Sequence, residues 1–128
     1  MDAAQALKEL MDLSSQITAA IALDGDGSVL AASPEDAATS LSASTLELVA
    51  AAGDLGAEGG EVTRVEVELD EGAFFVVREG GRIVAATTEP KPTSGLVVYD
   101  LRTCAQAIET AAPKRKRAAR KPKEEAAE

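Results

Sequence analysis

The second half of the chain repeats one theme. EVTRVEVELD, GAFFVVRE and GRIVAATTE are apolar runs separated by the short polar-glycine intervals DEG and EGG. Such intervals supply the backbone conformations of tight turns, so the three runs are predicted to form an antiparallel meander. In the first run Val65, Val67 and Leu69 alternate with Arg64, Glu66 and Glu68, with Val62 a further apolar position ahead of them. A period of two gives that strand one apolar and one polar face, and it reads as an edge. Phe74-Phe75-Val76-Val77 and Ile83-Val84-Ala85-Ala86 are continuous apolar runs, as expected of central strands covered on both faces. Glu89-Pro90-Lys91-Pro92 cannot continue a strand. A helix is predicted from about Ser94 to Ala112, where Val97, Leu101, Cys104 and Ile108 recur at helical spacing and Leu96, Val98 and Ala105 complete the apolar set. Pro113 is expected to stop it.

The first half carries a second motif. Ala3, Leu7, Leu10 with Met11, Ser14 and Ile17 recur at helical spacing, while Lys8, Glu9 and Asp12 are polar. This predicts an amphipathic helix with Asp2 as its N-cap and Ser14-Ser15 at its end. TAAIALDGDGSVLAAS then reads as a hairpin turning on Asp24-Gly25-Asp26-Gly27, with Val29-Leu30 resuming the apolar run. Ser33-Pro34-Glu35-Asp36 is helix-start chemistry. In the helix that follows, Leu41, Leu48, Val49, Ala52 and Leu55 share a broad face, and small residues fill much of the rest. Gly53 and Gly56 are expected to end it, and a loop, AEGG, leads into the meander.

The length of 128 residues suits one domain, predicted over residues 1–112. Hydrophobic residues make up 45% but aromatics only 2%, so the core must be built from Ala, Val, Leu and Ile. That core is thin, and a second subunit would cover apolar surface the monomer cannot. Net charge is −9, but it is segregated: residues 114–128 hold seven Lys/Arg and three Glu, leaving the body strongly acidic. KRKRAARKPKEEAAE is low in complexity and Pro-containing, so residues 113–128 are expected to form a disordered basic tail. A lone cysteine excludes an internal disulfide and fits a reducing cytosol. The absence of an apolar leader and of any ~20-residue apolar run predicts a soluble, cytoplasmic protein.

Candidate chemistry is sparse. There is no histidine and no nucleophile–base pair, so no enzymatic activity, cofactor or metal is expected. Counted from Asp24, Asp26 and Glu35 fall on calcium-loop positions, but Val29 occupies the position that needs glycine, and a hairpin turn explains the acids better. Gly59-Gly60 and Gly80-Gly81 are not followed by the Lys-Ser/Thr of a phosphate loop. Cys104 has no base to activate it and reads as a buried apolar residue. Arg64, Arg78 and Arg82 lie in the meander, where solvation is their ordinary role. Lys114, Arg115, Lys116, Arg117, Arg120, Lys121 and Lys123 are able to neutralise nucleic-acid or lipid phosphates or to meet an acidic protein face, and without aromatics any nucleic-acid contact would be non-specific and salt-sensitive. A purely solubilising tail is the bland alternative.

In its order of helix, two strands, helix, three strands, helix, the chain resembles the Roadblock family, named for dynein light chains of that type. The resemblance covers about residues 3–111 and is carried by ITAAIALDGDGSVLAAS, by VEVELDEGAFFVVREGGRIVAATT and by the closing helix. It implies a single α+β domain, a five-stranded antiparallel sheet with the second helix on one face and the terminal helices on the other, a topology related to profilin-like and longin-like domains. It also implies dimers in which the third strands pair into one continuous sheet and the second helices lie side by side. Carried onto this sequence, that contact falls on Val65, Val67 and Leu69 and on Leu41, Leu48, Val49 and Ala52. The implied partners are a second copy or a paralogue, and a small Ras-like GTPase that the dimer activates or scaffolds. A second reading is a dimeric adaptor that tethers a complex to DNA or anionic membrane through the basic tail.

Overall fold

Turn chemistry closes the meander where the glycines mark it. Glu79 pairs with Arg82, which leaves Gly80 and Gly81 as a two-residue turn at φ 57° and 85°. Those positive angles match the right-handed twist of the flanking strands and are open to glycine without strain. Leu69 pairs with Gly72, so Asp70-Glu71 forms the other two-residue turn. In the computed structural model, residues 2–55 and 63–120 are described, with Leu55 and 109–120 as backbone alone. The AEGG loop, Gly56, Val62, Lys121 and Lys123 lie outside the described residues.

The elements are α1 (Ala3–Leu13), β1 (Ile17–Asp24), β2 (Val29–Ser33), one 3-10 turn (Glu35–Ala37), α2 (Ala38–Leu55), β3 (Arg64–Leu69), β4 (Gly72–Glu79), β5 (Arg82–Thr88) and α3 (Ser94–Arg120). Asp2 caps α1 as predicted, its carboxylate accepting from the Gln5 N–H at 2.9 Å. The strands form one antiparallel sheet in the order β2-β1-β5-β4-β3. β1 and β5 are therefore neighbours, and β2 and β3 are the edges.

The alternating side chains of the sheet feed two cores. On one face Phe75, Val77, Val84, Ala86, Ala20 and Ala22 meet Ala6, Leu7 and Leu10 of α1 and Val97, Leu101, Cys104, Ala105 and Ile108 of α3. The alanines of β1 and β5 let two helices approach the sheet where bulkier residues would hold them off. On the other face Ile21, Leu23, Phe74, Val76, Ile83 and Ala85 pack beneath Leu41 of α2, with Leu48, Val49, Val65 and Val67 half-buried around them. Phe75 is fully buried at the centre of the first core, and truncation of such a ring costs about 3–5 kcal/mol.

Two boundaries and one side chain depart from the sequence expectation. α2 continues through Gly53 to Leu55, because one exposed glycine costs only about 1 kcal/mol within a helix otherwise rich in alanine. α3 does not stop at Pro113 but runs on to Arg120, so residues 114–120 of the expected disordered tail are helical. Ala111, Ala112, Ala118, Ala119 and the Lys and Arg between them are strong helix formers, and cations suit a helix C-terminus. Leu96 is exposed, since the consecutive residues 96–98 span too wide an arc for all three to face the sheet.

Candidate protein-interaction site

An open groove of about 420 Å³ lies between α2 and the β3 edge. Its walls are Leu41, Leu48, Val67, Leu69 and Phe74, with Ser40, Ser44 and Thr87 at its margins. Glu47 is the one ionisable residue in that lining. β3 stands at the sheet edge, so among the described residues one row of its backbone N–H and C=O groups has no partner strand. An apolar groove beside an unpaired strand offers a partner two kinds of contact at once: side-chain burial and ladder hydrogen bonds.

The residues singled out in the sequence fall on this surface in graded fashion. Val65 and Val67 are half-buried on the α2 side of β3, and Leu69 on the same side is 62% exposed. Leu41 is buried and forms the groove floor, while Leu48, Val49 and Ala52 are half-buried on α2. Phe74, Glu47, Ser40 and Ser44 were not singled out. Phe74 sits in a run with no alternation to assign its face, whereas Ser40, Ser44 and Glu47 share the helical spacing of Leu41 and Leu48 and were legible in principle. Across β3, the polar face meets the start of α3, where Ser94 Oγ donates to Glu66 Oε2 at 2.8 Å.

The remaining candidates settle into structural roles. Asp24 and Asp26 hold the hairpin turn: the Gly25 N–H donates to Asp24 Oδ1 at 2.8 Å and the Ser28 N–H to Asp26 Oδ1 at 2.9 Å. The Ser28 N–H and hydroxyl keep the Asp26 carboxyl below the usual carboxylate range. Arg82 Nη1 donates to Asp24 Oδ1 at 3.3 Å, which ties the two hairpin turns together. Cys104 is buried between α3 and the sheet, and desolvation pushes its thiol up to about 12, far from nucleophilic use at neutral pH. Among the described residues, no group of His, Cys, Asp and Glu is arranged to hold a metal ion, and no helix is long and apolar enough to cross a membrane. Lys114, Arg115, Lys116, Arg117 and Arg120 lie on the α3 extension. A second, smaller groove of about 270 Å³ runs between α1 and α3, bordered by Leu13 and Tyr99, which no periodicity argument had marked.

Comparisons with known proteins agree with this architecture. The model of the Roadblock/LC7 domain matches residues 3–88, from α1 to the end of β5. A crystal structure of a Roadblock/LC7 domain from Streptomyces avermitilis is 23% identical, with a TM-score of 0.65 over 91% of this chain and 100% of that one. MglB of Myxococcus xanthus is 16% identical, with a TM-score of 0.66 over 88% of this chain and 92% of that one. A profilin, LokiProfilin2 in complex with rabbit actin, is 13% identical, with a TM-score of 0.55 over 84% of this chain and 95% of that one. No curated protein sequence matches the chain. The α-β-β-α-β-β-β-α order, the open β3 edge beside α2 and the family match over most of the domain lead to one assignment: the chain belongs to the Roadblock/LC7 domain family.

Proposed function

We propose that this chain is a non-catalytic, cytoplasmic regulatory protein that dimerises through β3 and α2 and binds a small Ras-like GTPase, altering its rate of GTP hydrolysis. The observation that carries the reading is the apolar groove beside the unpaired β3 edge. A second copy related by a two-fold axis would supply the missing strand partner and fill the groove with its own α2, burying Val65, Val67, Leu69, Leu48, Val49 and Ala52. The exposed surface of α2, rich in Ala and Ser, would then face the GTPase. Family membership supports the regulatory role, and the implied GTPase partner is carried over from the Roadblock resemblance. No side chain is needed for chemistry, because a regulator that orders the catalytic residues of its GTPase contributes through contact alone.

The test has two parts. Sedimentation equilibrium of the purified chain is expected to give a dimer at micromolar concentration. Small Ras-like GTPases encoded by the same genome are then loaded with GDP or a GTP analogue and titrated against it, with hydrolysis followed in parallel. Binding that prefers one nucleotide state supports the proposal. A monomeric chain that neither binds nor alters any of these GTPases overturns it.

A further inference from the structure

The strongest unassigned feature is the helical basic arm that prolongs α3. α3 runs along the sheet from Ser94, beside Glu66 of β3, to Gln106, whose Nε2 donates to Glu79 Oε2 at 3.4 Å near the β4–β5 turn. Among the residues of α3 whose side chains are described, Ile108 is the last buried one. Beyond this the helical backbone continues to Arg120, running on in the direction that α3 takes from Ser94 toward the β4–β5 turn. The α2–β3 groove lies on the opposite face of the sheet, so the arm and a groove-bound partner do not compete for space.

The charge arithmetic separates the arm from its body. No Lys or Arg occurs between Lys8 and Arg64, so the β1, β2 and α2 half of the molecule presents carboxylates alone. Positions 114, 115, 116, 117 and 120, occupied by Lys114, Arg115, Lys116, Arg117 and Arg120, span about 9 Å of axial rise along the helical backbone. That is one positive charge per ~1.8 Å, against one negative charge per ~1.7 Å along duplex DNA. These backbone positions lie about 9–18 Å past Ile108 along the helix axis, beyond the ~8 Å Debye length at physiological salt, so the acidic body is largely screened from whatever the arm holds.

We propose that the α3 arm is a sequence-independent binding site for double-stranded nucleic acid. A lipid surface is the less suitable ligand, because residues 111–128 contain no apolar side chain larger than alanine or proline to enter the bilayer. No aromatic is present for stacking, so affinity rests on phosphate neutralisation and counterion release.

The experiment titrates the full chain against a labelled 30-base-pair DNA duplex by fluorescence anisotropy at 50–200 mM NaCl. Vesicles containing 30% phosphatidylglycerol are titrated in parallel. About five phosphates neutralised predicts a log–log salt slope near −4.5, an approximately 500-fold loss of affinity across that range. K114Q and R117Q singly are expected to reduce the slope by about one each, and Gln at all five arm positions to abolish binding with an unchanged thermal melt. Absence of binding at 50 mM NaCl overturns the proposal. So does binding that survives the fivefold Gln change, or binding to vesicles in preference to DNA.

Discussion

Thr45 is fully buried beneath α2, and its hydroxyl has no hydrogen-bond partner. An unsatisfied buried hydroxyl costs about 1–3 kcal/mol, so Thr45→Val, which keeps the shape, is expected to raise stability by roughly 1 kcal/mol in urea unfolding. Gly72 marks the opposite case. At φ 156°, an added Cβ there would run into the Thr88 carbonyl oxygen, a backbone atom that cannot swing aside. Gly72→Ala is accordingly expected to destabilise the fold by about 3 kcal/mol or more, read from the same unfolding curves. Cys104 makes a pH prediction. Its thiol titrates near 9 in the unfolded chain and at about 12 when buried, so between those values the folded state binds more protons than the unfolded state. Stability present below pH 9 is therefore lost as pH rises, by about 1.4 kcal/mol per unit across that window. Cys104→Ala should flatten that slope, which pH-dependent denaturation would measure.

At the level of elements, β3 is the piece whose sequence and role are most directly linked. Val65, Val67 and Leu69 alternate with charges, and the structure places that strand at an edge with its apolar side toward α2. Leu69→Asp introduces a charge at a position already exposed in the monomer. It is expected to abolish self-association in sedimentation equilibrium while shifting the monomer's stability by less than about 0.5 kcal/mol. The hairpins and the start of every helix were legible because Gly, Pro and Asp at those points each constrain the backbone locally. Strand order was not contained in any local pattern: that β1 lies beside β5 depends on Ile21 and Ala85 meeting across more than sixty intervening residues, and only the family resemblance anticipated the sheet. Pro113 and Gly53 misled for one reason. Each is a breaker by itself, but Gly53 follows three alanines and Pro113 sits between alanines and long charged residues, and the summed helix propensity outweighs a single unfavourable position. The candidate site was half legible, since its strand showed period two, whereas the groove depends on how α2 is seated over β3 and β4, a matter of tertiary placement.

On the scale of the whole molecule, the separation of charge predicts opposite responses to salt for the two proposed surfaces. The proposed dimer would join two chains of net charge −9 through an apolar groove, so added salt would screen their repulsion. Self-association is expected to tighten between 50 and 500 mM NaCl, while anchoring of the arm to DNA weakens. Measuring both on one preparation would separate the two surfaces without any substitution. The sheet also has a second edge, and its character bounds what dimerisation leads to. β2 spans only Val29–Ser33, Leu30 is left without a Cα partner where the register with β1 slips, and Pro34 follows at once. A short, bulged strand ended by proline makes a poor template for a further strand. In the language of polymers, the proposed pairing leaves each chain one reactive end-group and one capped end: pairing at β3 would consume the competent terminus among the described strands, and the degree of polymerisation through the sheet would stop at two.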